Sequence, residues 1–129
     1  MKKPKIEFTV IKEDKGYSAY AHVGNDSIFT EGEDFSELKK NLTDATNTAF
    51  ADKGFKFKYD EFKISFDLES FFGFYRVINA SALSKRINMN RSLLTQYISG
   101  KKKPSRKQTE KILNGVHEIG RELSEIDLT

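Results

Sequence analysis

Residues 80–105, ASALSKRINMNRSLLTQYISGKKKPS, constrain the fold of this chain more than any other stretch. Asn90 is a favourable N-cap for a helix that should end near Gly100. Two short helices joined by a tight turn are therefore predicted, which is the pattern of a helix-turn-helix. Four apolar residues, spaced four apart in two pairs, give each helix its buried face: Leu83, Ile87, Leu94 and Ile98.

The exposed face of the second helix should carry short polar side chains and a guanidinium. Groups of this kind reach base edges and phosphates in a DNA major groove. We therefore expect this face to contact DNA. Its members are Arg91, Ser92, Thr95 and Gln96.

Charge is unevenly divided along the chain, although the net charge is only +3. Residues 1–67 carry 11 basic and 13 acidic side chains, whereas residues 68–129 carry 11 and 6. Between Arg76 and Lys111, ten basic residues accompany a single acid, Glu110, which gives a local net charge of +9. Such a positive field on a helix-turn-helix indicates nucleic-acid binding, with a solvated lysine loop as the alternative.

Residues 1–67 predict a small sheet covered by one helix. Alternating apolar residues indicate strands at 5–12, 17–23 and 27–30. Asp34 and Glu37 form a variant of the capping box for a helix that should end near residues 53–54. Beyond it, residues 55–59 or 62–66 form a further strand, and we favour the second stretch. The predicted fold class is α+β: a β-β-β-α-β domain, residues 1–67, followed by an all-α domain, residues 68–129.

The all-α domain should begin and end with amphipathic helices. Leu68, Phe71, Phe72 and Tyr75 have helical spacing, and we expect this helix to pack beneath the helix-turn-helix. A second capping box after Pro104 predicts a long final helix. The end of its apolar stripe, residues 119–126, either packs on its own bundle or pairs with a second copy. The stripe consists of Ile112, Val116, Ile119, Leu123 and Ile126.

Several other classes of protein are disfavoured by the composition. The chain has no cysteine and only two histidines, His22 and His117, in different halves, so we expect no metal site. No phosphate loop or nucleophile elbow is present. The carboxylates at residues 31–34 suit helix capping better than nuclease chemistry, so we expect no enzyme, catalytic residue or cofactor. Without an apolar run of bilayer length or a signal peptide, we expect a cytoplasmic protein with no membrane partner.

Two stretches of the sequence match a known order of parts. The first is Ile28-Phe29-Thr30-Glu31-Gly32, followed by a helix start at Phe35-Ser36-Glu37-Leu38. The second, LSKRINMNRSLLTQYISGKKKPS, is similar to the helix-turn-helix of Xre/Cro-like repressors. Together they resemble the HicB antitoxin family, many of whose members carry such a helix-turn-helix. The resemblance covers nearly the whole chain.

This resemblance implies a type II antitoxin. Its N-terminal domain would have a partial ribonuclease-H-like fold and mask a small HicA-type mRNA-cleaving toxin. Its C-terminal domain would bind the operator of its own operon as a homodimer or higher even oligomer. Asn90 would start the recognition helix, and the basic side chains after it would hold the DNA backbone. The complete set of expected DNA-binding residues is Lys85, Arg86, Asn90, Arg91, Ser92, Thr95, Gln96, Lys101, Lys102, Lys103 and Arg106.

A second function fits the motif and the charge equally well. The chain would then be a stand-alone transcriptional regulator whose N-terminal sheet binds a small molecule or another protein. Only the family resemblance separates this alternative from the antitoxin.

Overall fold

The computed structural model describes residues 2–129, which form a four-stranded mixed sheet and five α-helices. This confirms the predicted combination of a sheet with helices. The chain folds as two compact units, the first ending at Phe74 and the second beginning at Tyr75. We call them unit 1 and unit 2. In the part of the chain that the structure describes, no helix has the length and apolar composition needed to cross a bilayer.

The sheet of unit 1 has the strand order β3-β2-β1-β4. β1 and β2, and likewise β2 and β3, are antiparallel neighbours, whereas β4 pairs parallel with β1. The stretch at 62–66 that we favoured therefore contains the fourth strand, and residues 55–58 lie outside the sheet. The strands are β1 (Glu7–Lys12), β2 (Tyr17–Val23), β3 (Asp26–Gly32) and β4 (Lys63–Phe66).

One helix, α1 (Phe35–Ala49), covers one face of this sheet. Asp34 caps it by accepting a hydrogen bond from the Glu37 N–H at 2.7 Å. The Glu37 carboxylate accepts from the N–H of Glu33 at 3.4 Å, so the capping box closes one residue earlier than predicted. A 3-10 turn, Ala51–Lys53, follows the helix. The core beneath α1 includes the buried side chains Phe8, Val10, Ala19, Ala21, Ile28, Leu38 and Leu42.

The helix α2 (Leu68–Phe74) belongs to unit 1, so the boundary between units lies after residue 74 rather than after residue 67. The Ser70 hydroxyl accepts a hydrogen bond from the Lys12 N–H at 2.9 Å, which ties α2 to β1. The Phe74 ring lies 5.4 Å from the ring of Tyr17 and 4.9 Å from that of Phe35. Aromatic packing on the sheet therefore anchors the helix that we expected beneath the helix-turn-helix.

Unit 2 consists of three helices, each capped by a side chain just before it. Asn79 caps the first by accepting from Ala82 N–H at 2.9 Å, and Ser105 caps the last by accepting from Gln108 N–H at 3.2 Å. Ser84 is buried in the core that the three helices share. The other buried residues of this core are apolar: Leu83, Met89, Leu94, Tyr97 and Ile112. The helices are α3 (Ala80–Arg86), α4 (Arg91–Ile98) and α5 (Arg106–Glu125).

The two ends of α5 differ in how much apolar surface they bury. Near its start, Ile112 is buried and Gly115 lies against Ile87, so that a Cβ atom at residue 115 would overlap Cγ2 of Ile87. At its other end, Leu123 is 62% exposed and Ile126, just after the helix, is 60% exposed. Unit 2 thus buries the first part of the stripe and leaves these two side chains, the apolar end of α5, in solvent.

Candidate nucleic-acid interface

The helix-turn-helix consists of α3, a four-residue turn and α4. Asn88 in the turn has a φ of +55°, a left-handed conformation that asparagine tolerates better than most residues. Asn90 then caps α4, because its side-chain oxygen accepts from the Leu93 N–H at 3.1 Å. The start of α4 is thus fixed by the chemistry of the two asparagines.

One side of α4 is buried and the other faces solvent. Leu94 and Tyr97 lie in the core of unit 2, whereas three of the four predicted contact residues are exposed. The fourth, Gln96, is half-buried. We call the exposed set, Arg91, Ser92 and Thr95, the reading face.

Two predicted contact residues also have local structural roles. The carbonyl oxygen of the Asn90 side chain is used for capping, which leaves its amide NH₂ group as a donor. The Thr95 hydroxyl donates to the Arg91 backbone oxygen at 2.9 Å, and its oxygen can still accept a hydrogen bond. Arg91 and Ser92 have no such side-chain bonds within residues 2–129 and keep their full hydrogen-bonding capacity.

The basic loop, residues 99–105, is tied to the end of α4. The Lys102 N–H donates to the Gln96 backbone oxygen at 3.1 Å, and the Gly100 N–H donates to that of Tyr97 at 3.2 Å. Gly100 has a φ of +79°, which allows the chain to turn sharply there. The loop side chains Lys101, Lys102 and Lys103 are exposed, and none forms an ion pair within residues 2–129.

Cationic groups therefore flank both ends of the reading face. Arg91 lies at the start of α4 and the basic loop at its end, and a helix of eight residues is about 12 Å long. Lys85 on α3 is also exposed and forms no ion pair in the described part of the chain. Charges at this separation suit phosphates on either side of a groove.

Arg86 differs from the other candidates because its charge is engaged within unit 2. Its guanidinium forms a hydrogen-bonded ion pair with Glu122 and lies 4.0 Å from Glu118, both on α5. The hydrogen bond with Glu122 raises the pKa of Arg86 above its ordinary value. Arg86 is one of the expected DNA-binding residues, and in the structure its side chain lies against the acidic part of α5.

Arg106 has a carboxylate neighbour as well, although it remains open to solvent. Its Nε lies 3.3 Å from an oxygen of Glu110, one turn further along α5, and its side chain is 93% exposed. Lys107 is exposed beside it, and Lys111 Nζ donates to the Asn88 backbone oxygen at 3.1 Å. Lys107 is therefore a further cation near the basic loop. It was not among the expected DNA-binding residues, and the only feature of the sequence that pointed to it was the excess of basic residues between 76 and 111.

The carboxylates at the start of α1 have structural roles. Asp34 and Glu37 act as helix caps, and no three His, Cys, Asp or Glu side chains within residues 2–129 lie close enough to bind an ion. His22 contacts its cross-strand neighbour, with Nδ1 2.9 Å from the Ser27 hydroxyl oxygen.

Comparison of the chain with protein-family models, with curated proteins and with solved structures found no match in any of the three.

Proposed function

We propose that unit 2 binds double-stranded DNA and reads its sequence through α4. The observation that carries this proposal is the reading face, whose polar side chains lie in solvent opposite a buried apolar face. Arg91 has a guanidinium that can donate two hydrogen bonds to guanine, and Ser92 and Thr95 have hydroxyl groups for base edges or phosphates. The half-buried Gln96 contributes at the margin of this face.

The surrounding cations bind the phosphate backbone and position α4 in the groove. Unit 2 carries 11 basic and 5 acidic residues, whereas unit 1 carries 11 and 14. The positive field therefore belongs to the unit that contains the reading face. In this proposal Lys85, the basic loop and Arg106 supply sequence-independent affinity, and Arg86 contributes less because Glu122 engages it.

A second copy of the chain completes the DNA-binding form. A single module of this kind buries only about 600–1,000 Å² on DNA, too little for tight binding to an operator. Helix-turn-helix proteins commonly reach two half-sites as dimers. The apolar end of α5 is exposed and can pair with the same surface of another chain, giving a homodimer or a higher even oligomer.

The biological role that we propose is that of a HicB-like antitoxin. In this role a β-β-β-α-β domain at the N-terminus neutralises a small HicA-type mRNA-cleaving toxin, while the helix-turn-helix represses the operon that encodes both proteins. The support is the quoted order of sequence motifs, together with a slightly acidic unit 1 that is unsuited to DNA. A stand-alone regulator with a ligand- or protein-binding sheet is the second candidate, favoured by the same reading face.

Two substitutions in unit 2 test DNA binding. With a DNA site selected from a random pool, Arg91→Ala should weaken specific binding by about 1–3 kcal/mol and relax the preference at one base pair. Lys102→Ala should weaken binding to all sequences about equally and lower the slope of log affinity against log salt by about one. Fluorescence anisotropy over a salt series measures both effects.

The matched control is Lys56→Ala, which removes one exposed charge from unit 1. It should leave selectivity and salt slope unchanged. Wild-type affinity and selectivity in both the Arg91 and Lys102 variants at every salt concentration would contradict the proposed interface.

Co-expression with the neighbouring reading frame separates the two biological roles. An antitoxin should co-purify with a small basic protein that arrests growth when produced alone, and should restore growth. Purification of the chain without such a partner, from cells that express the native operon, would favour the stand-alone regulator.

A further inference from the structure

The sheet of unit 1 ends at a long edge strand. β3 is the outermost strand, and its seven residues pair with β2 in unbroken register from Asp26 to Gly32. Natural edge strands are usually shortened, bulged or marked with lysine or proline, which discourages further pairing. β3 has no lysine, proline or bulge, and its two charged residues, Asp26 and Glu31, lie near its ends. By contrast, β4 at the opposite edge has four residues and begins with Lys63.

The outer side of β3 has little protection from the rest of unit 1. Beyond its ladder with β2, the β3 backbone has one hydrogen bond within residues 2–129, from Asn41 Nδ2 to the Glu31 oxygen at 2.7 Å. Between Asp26 and Thr30, the backbone N–H and C=O groups that point away from β2 are therefore available to hydrogen-bond with water or with another strand. An exposed strand edge of this kind is the usual acceptor in β-strand addition.

An apolar side chain stands at the centre of this edge. Phe29 is 62% exposed and lies directly opposite Tyr20 on β2, which in turn lies opposite Thr9 on β1. These side chains are on the sheet face away from α1, because their neighbours Ile28 and Ala21 are buried beneath the helix. Phe29 thus ends a row across the sheet and lacks a neighbour on its outer side.

We propose that β3 pairs antiparallel with β3 of a second copy, about a two-fold axis through Phe29. Residue 29 is the middle of the strand, so this register places all seven residues opposite a residue of the second copy and joins the two sheets into one of eight strands. The Glu31 oxygen, which already accepts from Asn41, has a second lone pair for the added strand. Each Phe29 packs against Phe29 of the second copy. Ile28 then faces Thr30, Ser27 faces Glu31, and Asp26 faces Gly32.

The side chains brought together in this register are compatible on both faces. The Ser27 hydroxyl, which contacts His22 at 2.9 Å, can donate to the Glu31 carboxylate of the second copy. Asp26 faces a glycine, so no like charges oppose one another. A shift of two residues in either direction leaves five pairs and places Phe29 opposite Ser27 or Glu31.

The helix side of the edge has room for the added strand. A cleft of about 350 Å³ opens beside the first residues of β3, between Asp26, Ser27, Ile28 and Phe50, the residue that follows α1. The residues that arrive on this side from the second copy are Thr30 and Gly32, which are small.

Self-complementarity is the reason for choosing a second copy over a strand of another protein. One pair of seven-residue strands buries less surface than the 1,200–2,000 Å² or so of a stable interface, so the dimer should dissociate on dilution. This association is independent of DNA binding by unit 2. Together with pairing through α5, it would give each chain two different two-fold interfaces.

Cysteine cross-linking tests the register in the full-length chain, which has no cysteine of its own. In a Phe29→Cys variant the two Cβ atoms should lie about 4.5–5.5 Å apart, close enough for a disulfide after small adjustments. In a Tyr20→Cys control they should be about 14 Å apart, three strand spacings. We expect a covalent dimer of the first variant under mild oxidation, and not of the second.

Sedimentation tests the association without a cross-link. In a Leu123→Lys background, which removes pairing through α5, Phe29→Lys should raise the dissociation constant at least about ten-fold, because each dimer loses two buried rings. Val77→Lys, at a side chain that is 90% exposed in unit 2, is the control and should change nothing.

Equal cross-linking of the Phe29→Cys and Tyr20→Cys variants, or unchanged sedimentation of Phe29→Lys, would overturn the proposal. The β3 edge would then be left to a strand from another protein. DNA affinity measured on the same variants should equal that of their Leu123→Lys parent. A failure of this interface is thereby distinguished from a failure of the DNA-binding proposal.

Discussion

Replacing Gly115 with alanine should destabilise unit 2, whereas the same change at Gly120 on the same helix should stabilise it. A Cβ atom at residue 120 would meet nothing within 4 Å. At residue 115 it would overlap Cγ2 of Ile87, well inside the 3.0 Å that real Cβ atoms keep, and lie 3.4 Å from Leu83 Cδ1. The two positions therefore share a helix and differ in their surroundings.

The magnitudes follow from two opposing effects. Alanine is favoured over glycine in a helix interior by about 1 kcal/mol, so Gly120→Ala should raise the free energy of unfolding by about 0.5–1 kcal/mol. Ile87 is β-branched and cannot easily rotate away, and overpacking of a core typically costs about 1–3 kcal/mol. Since the helix preference is common to both variants, their difference in stability should equal that overpacking cost.

Urea denaturation followed by far-UV circular dichroism measures this difference on the full-length chain. Truncation of the obstructing residue provides the internal check. In an Ile87→Ala background, Gly115→Ala should become neutral or stabilising, which a double-mutant cycle reports as coupling. Equal stabilisation by both alanines with Ile87 intact would refute the packing of α5 on α3.

Three further outcomes are expected. Asn90→Ala should lower the free energy of unfolding by about 1 kcal/mol, because α4 loses its cap. Asn90→Ser should retain most of the wild-type stability in the same denaturation assay, because serine can also cap the helix. Leu123→Lys should reduce self-association in sedimentation and weaken DNA binding in parallel; tight operator binding by a strictly monomeric variant would contradict dimerisation through α5. The Lys3 ammonium, whose Nζ lies 2.6 Å from a carboxylate oxygen of Glu61, donates a hydrogen bond that lowers the pKa of Glu61. Lys3→Met should therefore move that pKa back toward its ordinary value in an NMR titration. Because the pKa of Glu61 is lower in the folded than in the unfolded chain, its ionised form stabilises the fold at pH values above the unfolded pKa of about 4.3. This stabilisation should be lost as the pH falls through the pKa of the folded state.

Local chemistry made much of the fold predictable from the sequence. Alternation of apolar residues marked the strands, because successive side chains of a strand point to opposite faces. Asp34, Asn90 and Ser105 marked helix starts, because their short side chains accept the unpaired N–H groups of a first turn. These signals depend on neighbours in sequence, so they can be seen without the fold.

Residues 55–59 show where alternation misleads. Phe57 is buried as in a strand, yet its backbone N–H and C=O bond to the Asn47 side chain at 2.7 and 3.1 Å. One amide side chain on α1 thus takes the place of a neighbouring strand. Sequence alone could not distinguish these two partners, because both leave the same alternating pattern.

The assignment of α2 and the partner of Arg86 depend on contacts distant in sequence. The apolar face of α2 indicates that the helix is buried, but it does not show whether the helix packs against a sheet or against another helix. In the structure it packs on the sheet, where the ring of Phe66 on β4 lies 5.8 Å from that of Phe74. Arg86 meets Glu122, 36 residues later, only because α5 folds back along α3. Such pairings require the tertiary structure.

The close packing of α5 on α3 has a consequence for the proposed dimer. Because Gly115 lets the helix lie directly against Ile87, the helix that carries Leu123 is packed on the helix-turn-helix and is not held only by the loop at residues 99–105. Two chains that pair through the ends of this helix would hold their reading faces at a fixed separation and rotation. We expect operator half-sites with one permitted spacing, so that inserting a few base pairs between them abolishes cooperative binding even though each half-site is intact.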